Sequence, residues 1–261
     1  MKCKPNAANY TIMTNATHFP AVAAQIWQSF LPIHIFKNYV IKGLLLLMLL
    51  LSVNGAWAQV NGDYQTRAAG NWNDYTTWQV RSGGAWVDCA TGDYPGATAG
   101  AGTVSILNNN TVTITADVPN SIAALQIDGG GNDSYLQFDA GFSLTVIGQT
   151  YLNSNSNNDE KSILVDAGKF RTGSLYANSN GNNQDAYVRI LTGTVTVDSD
   201  ITLNSTNIRT YILFSGAGTL NVGGNMSGGG ITSTTGGGTS PTAGTVNYNG
   251  NGNQNIGNYT K

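Results

Sequence analysis

The sequence predicts an all-β fold: a parallel, right-handed β-helix, or solenoid, with three short strands in each coil and a coil period of 25–26 along the chain. Two phased ladders of apolar residues and a composition poor in helix formers point to it. An antiparallel β-sandwich is the alternative fold that such short strands would also permit.

The first ladder is a set of apolar pairs that follow a Gly or Ser turn: Leu144/Val146, Val195/Val197, Leu220/Val222 and Val246/Tyr248, with Phe170 in the remaining place. Their first members step along the chain by 26, 25, 25 and 26. A second ladder, Leu136/Phe138, Ile163/Val165, Val188/Ile190 and Ile212/Phe214, steps by 27, 25 and 24. A weaker third holds Leu175, Ile201/Leu203 and Met226. Alternation within each segment puts every second side chain on one face. Three such segments per repeat give a coil that buries its aliphatics only when another coil stacks on it. A sandwich has no need of a phase that recurs four times.

Composition agrees. Of the 14 acids only Glu160 is Glu, and Lys is scarce, so strong helix formers are few. Asn, Gly, Thr and Ser dominate, as short strands and many turns require.

Taken in chain order, residues 1–36 are a leader extension, either a genuine long leader or the product of a start codon set too far upstream. Residues 37–58 read as a secretory signal peptide. Lys37 and Lys42 precede the apolar run 43–53, and Ala56-Trp57-Ala58 supplies small residues before a cleavage site. That run is little more than half of the ~20 residues that a spanning helix needs, so no transmembrane segment is expected after signal removal. Export to the extracellular space or outer cell surface follows. The expected mature chain, Gln59–Lys261, then holds no histidine, since His18 and His34 lie in the leader. His-based triads and His-ligated zinc are thereby excluded. Cys89 has no partner left and reads as a small buried apolar residue. Four of the 12 basic residues also leave, and the net charge becomes about −6, which repels phosphate backbones and excludes nucleic acid.

Residues 59–101 form an aromatic N-terminal cap segment containing Trp72, Trp78 and Trp86. Trp72 and Trp78 are expected to cover the first coil's core. The other reading of the three indoles is a sugar-stacking surface. Residues 102–261 form the solenoid, expected to be cut short at its C-terminal end. Gly141, Gly168, Gly193, Gly218 and Gly244 each precede a strand, where a corner calls for positive φ. Asn-rich turns 153–158 and 178–183 lie one coil period apart, so like amides can stack in ladders. The Gly-rich stretch 223–238 reads as a loop without strands.

Gly70-Asn-Trp-Asn-Asp-Tyr-Thr-Thr-Trp78, the strands Gly102–Ile106 and Thr111–Ile114, and Leu125-Gln-Ile-Asp-Gly-Gly130 together resemble the opening of secreted surface proteins of the Bacteroidota. The same order of elements is similar to the glycine-rich G8 domain of cell-surface proteins. The resemblance covers residues 62–150 and continues loosely as repeats. It implies an adhesin-like β-helix protein, often with a C-terminal sorting domain. This sequence departs from that pattern, ending at Asn258-Tyr-Thr-Lys261 without such a tail.

The expected role is therefore a secreted or cell-surface structural and adhesion protein, with extracellular glycans or cell-surface components as partners. Glycan binding through exposed Trp and Tyr is the alternative. A polysaccharide hydrolase or lyase is a third, because many β-helices cleave acidic glycans. Its weak catalytic candidates are Asp139 and Asp166, in matching Asp-Ala-Gly corners, and the pair Asp198/Asp200. Stacking would place Asp139 and Asp166 about 5 Å apart, a spacing compatible with the ~5–5.5 Å of retaining glycosidases. The same two carboxylates are the weak candidates for calcium, the only cofactor the sequence suggests.

Overall fold

The computed structural model describes residues 62–156, 158–181, 183–205, 209–233, 243–252 and 254. The leader extension and signal peptide lie outside the described residues. The rest is a parallel β-solenoid of about five turns with roughly 25 residues per coil, and no α-helix occurs among the described residues.

Three strand segments make each coil. The first face stacks 143–146, 169–172, Thr194–Val197, Thr219–Val222 and Thr245–Tyr248, with Leu144, Phe170, Val195, Leu220 and Val246 in register. On the second face, Leu125, Thr150, Leu175, Ile201 and Met226 align. The third carries Val112, Leu136, Ile163, Val188, Ile212 and Ile231 through consecutive parallel pairs. All three apolar ladders are thus lines of side chains along one axis. The coils pair in parallel throughout, which sets the sandwich aside.

Two long strands, Ser143–Ser154 and Lys169–Ser179, run through both the first and second faces and join them in one sheet of 12 strands. A register shift between Thr172 and Ser174 marks the bend. There the buried Thr150 and Thr172 hydroxyls lie 2.8 Å apart, and Thr172 Oγ1 is also 3.2 Å from the Gly148 carbonyl and 3.0 Å from the Ser174 carbonyl. Inward threonines thereby satisfy backbone groups that the bend would strand.

One contiguous apolar core runs from Tyr64 to Ile231. Alternation assigns its members: in Asp185–Ile190, Ala186, Val188 and Ile190 point inward. A fully buried aliphatic contributes ~1.5–3 kcal/mol, and each coil supplies several. The core also encloses a charge pair. Lys161 Nζ lies 3.4 Å from Asp159 Oδ2 with both side chains wholly buried, and it donates to the Asn132 carbonyl.

The corner glycines work differently from expectation. Gly141 and Gly244 do take positive φ, +87° and +94°. Gly168, Gly193 and Gly218 do not; they are required by close approach of neighbouring coils. A Cβ on Gly193 would sit 2.6 Å from the Gly168 carbonyl oxygen and 2.7 Å from Val165 Cγ1. The Gly-rich stretch also differs: Met226–Gly228 and Gly230–Thr232 are strands, because the stacked neighbours 201–203 and 211–213 supply backbone partners that the local sequence does not advertise. Residues 234–238 of the stretch lie outside the described residues.

The aromatic segment enters the sheets as well. Tyr64–Thr66 pairs in parallel with Thr103–Ile106, and Gly70–Asn71 with Thr111–Ile114. A hairpin, Trp78–Ser82 with Ala85–Asp88, then adds antiparallel strands to the edge of the larger sheet.

Candidate functional site: the outer faces of the coils

The three tryptophans separate. Trp72 and Trp78 are 1% and 0% exposed and belong to the core. Their rings meet edge to face at 5.0 Å. Trp72 Nε1 donates to the Pro95 carbonyl at 2.8 Å, and Trp78 Nε1 to the Trp72 carbonyl at 2.7 Å. Indoles so buried and so satisfied have no face for a sugar, which corrects the stacking reading for these two. Trp86 is half-buried on the hairpin, with the Arg81 guanidinium 5.6 Å from its ring centre. Cys89 is buried and free. Burial, with Asp93 and Asp88 nearby, pushes its thiol up to about 12, so it stays protonated and inert.

The carboxylates singled out by sequence occupy corners. Phe138 and Val165 are register partners, so Asp139 and Asp166 follow them on successive coils. Asp166 Oδ1 accepts from Arg189 Nη2 at 2.9 Å, while Asp139 is exposed. Asp198 accepts from Arg171 Nε at 2.9 Å. Asp200 Oδ1 accepts from the Asn225 amide at 2.7 Å. The structure thus brings Asp166, Asp198 and Asp200 to an arginine or a backbone amide in a neighbouring coil and gathers no three of the four candidates at one point. Among the described residues, no group of three or more His, Cys, Asp or Glu converges as a metal centre would require.

Outward columns carry the chemistry that sequence reasoning missed. On the third face, Tyr135, Ser162, Tyr187 and Tyr211 are in register. Tyr187 and Tyr211 stack at 4.9 Å with rings 9° apart, and both are buried. Tyr187 Oη donates to Glu160 Oε1 at 2.5 Å. Burial is the main cause that raises the Glu160 carboxyl above its ordinary range; its bonds from Tyr187 and Ser162 oppose this, and Asp133 and Asp185 add to it. Asp185 is likewise raised by burial, against the pull of Arg209 at 3.4 Å.

The second face presents a half-exposed Tyr151/Tyr176 pair, 5.3 Å between centres. Beside it runs an amide ladder. Asn204 Nδ2 donates to Asn178 Oδ1 at 2.8 Å, Asn178 Nδ2 to Asn153 Oδ1 at 2.9 Å, and Asn153 Nδ2 to Asp128 Oδ1 at 3.2 Å. A shorter one on the first face links Asn247, Asn221 and Thr196. The amide stacking expected of Asn-rich turns therefore sits at strand ends. The first face also bears a groove of about 280 Å3 beside Lys169 and Arg171. The signal for all these columns was present, since each recurs at the ladder spacing, but the apolar pattern reports inward residues only.

The chain matches no family model, no curated protein and no solved structure.

Proposed function

We propose that the chain is a secreted or cell-surface solenoid, a stiff stalk or passenger that presents repeated polar columns for adhesion. The observation that carries this reading is the coil-to-coil bracing of the outer surface. Arg171–Asp198, Arg189–Asp166 and Arg209–Asp185 each span successive coils, as does the amide ladder from Asp128 to Asn204. Such bracing resists shear along the axis and repeats one surface pattern at the strand spacing of ~4.8 Å. Extended ligands with a repeat of their own suit a surface of that kind. Export rests on the positive flank, apolar run and small-residue site of 37–58.

Beads carrying the full chain test adhesion, by capture on surfaces coated with a panel of glycans and cell-surface proteins. Capture well above bare beads on at least one coat is expected. No capture on any coat overturns the reading, and release of reducing ends or unsaturated sugars would replace it with the polysaccharide-cleaving one. Fusion of residues 1–70 to a phosphatase that is active only outside the cytoplasm tests export separately.

A further inference from the structure

We infer that the groove on the first face binds an acidic polysaccharide whose charge is carried by carboxylates. The inference names the ligand class for the adhesion reading and rests on that reading for its extracellular setting. Lys169 and Arg171 stand on alternate positions of one coil, both exposed. Register places Ser143 and Thr145 beside them on the coil before, and Thr194 and Thr196 on the coil after. Long cationic side chains thus rise between rows of short hydroxyl ones, and the space left is the groove of about 280 Å3. That volume lies just under the ~300–1,000 Å3 of small-ligand pockets, room for a sugar ring or two of a chain lying across the surface.

The charges are what make the place unusual. Arg67, Lys161, Arg189 and Arg209 each pair with a carboxylate, and Arg81 lies over Trp86. Arg171 shares its charge with Asp198. Lys169 makes no ion pair among the described residues. An ammonium outside any ion pair, beside a guanidinium shared with Asp198, is a local attractor for anions, with the Asp117 carboxylate that Ser143 holds at 2.7 Å as the acid at its rim.

The hydroxyls of Thr145 and Thr194 both donate and accept, matching sugar hydroxyls, and Thr196, which accepts from Asn221 at 3.2 Å, still has its O–H to donate. Next outward along the strand from Thr145, Ile147 is 68% exposed. Gly173, which packs over its carbonyl, has no side chain to cover it: a Cβ there would lie 2.3 Å from the Ile147 oxygen. One exposed aliphatic side chain further along the strand suits the C–H face of a uronate ring in the next part of the polysaccharide. One full and one shared positive charge match the single carboxylate that each uronate ring carries. A densely sulfated chain would meet the surrounding acids and be repelled.

Affinity electrophoresis of the full chain in gels containing polygalacturonate, a sulfated glycan or dextran tests the site. Retardation by polygalacturonate alone is expected, weakening with salt. The double variant Lys169→Gln, Arg171→Gln should lose tenfold or more in affinity with an unchanged circular dichroism spectrum, and the single variant Lys169→Gln, which leaves the Arg171–Asp198 brace in place, should lose part of it with an unchanged melting temperature. The inference is overturned by no retardation, by equal retardation of the double variant, or by stronger retardation in the sulfated or neutral gel. Beads that adhere to other coats while the chain ignores polygalacturonate would remove this site and leave adhesion standing. Retardation with no bead capture elsewhere would do the reverse.

Discussion

Replacing Asn178 tests whether the amide ladder holds neighbouring coils together. Its side chain is 8% exposed and uses both ends: Nδ2 donates to Asn153 Oδ1 at 2.9 Å, and Oδ1 accepts from Asn204 Nδ2 at 2.8 Å. Asn178→Ala removes both bonds. At ~0.5–1.5 kcal/mol net for each hydrogen bond, the loss is bounded at about 1–3 kcal/mol. Asn204 is exposed and Asn153 half-buried, so water recovers part of it, and the lower half of that range is expected. Asn178→Asp separates the two bonds. A carboxylate still accepts from Asn204 but sets a negative oxygen against Asn153 Oδ1. At pH 7 it should be at least as destabilising as Ala. Protonation restores an O–H donor, so the folded state binds that proton more tightly than the unfolded chain. The folded pKa is then raised, and the deficit should shrink as pH falls through that raised value, the recovery being complete below the ordinary unfolded Asp value of ~3.9. Urea unfolding followed by far-ultraviolet circular dichroism, with an unchanged denaturant slope, measures this. An Ala variant within about 0.3 kcal/mol of the parent, inside the usual surface scatter, would refute the reasoning. So would an Asp variant as stable as Asn at pH 7.

Four further outcomes rest on the same geometry. Glu160 has a raised folded pKa, so its contribution is full below the unfolded value of ~4.3 and fades as pH rises through the folded one. Glu160→Gln keeps an acceptor for Tyr187 and should therefore raise the melting temperature at pH 7, with the gain vanishing below pH ~4. Asp159→Ala strands the wholly buried Lys161 ammonium and should cost ~3–5 kcal/mol, whereas adding Lys161→Met should recover most of it in urea titrations. Gly193→Ala drives a Cβ into the Gly168 carbonyl and Val165 and should cost ~1–3 kcal/mol. Gly230→Ala, with nothing within 4 Å of its Cβ and no positive φ, should stay within ~0.5 kcal/mol.

The axis of the fold was legible because burial imposes a repeat on aliphatics. Leu144, Phe170, Val195, Leu220 and Val246 can share one line only if the chain returns to the same place every coil, and the register shows that line. Tyr64 was not legible as a rung, since its partner Val104 lies well over one coil period further on, beyond the hairpin and the loop after it. Gly228 and Gly230 carry no side chains to advertise strands, and their partners on the preceding coil decide the matter. Trp72 and Trp78 illustrate a different limit: an indole suits a core and a sugar equally until its N–H finds a buried carbonyl. Asp166, Asp198 and Asp200 looked like chemistry in a sequence and are corner partners in space. Lys169 carries no pattern in the sequence at all; it becomes distinctive only when Arg67, Arg81, Lys161, Arg171, Arg189 and Arg209 are each found with a partner.

The hairpin at the edge of the larger sheet has a consequence for how copies of this chain meet one another. A parallel stack is a polymerisation in which each rung templates the next, and another molecule's rung would serve as well as its own. Here the strand direction reverses twice beyond Tyr64–Thr66, leaving Ala85–Asp88 outermost among the described residues and ending in a carboxylate that pairs with Arg67. On the third face the corresponding rung is shorter still, Gly70–Asn71. In the vocabulary of polymer chemistry the hairpin is a chain terminator: it consumes the growing end and offers a second molecule a reversed template on one face and a two-residue one on the other.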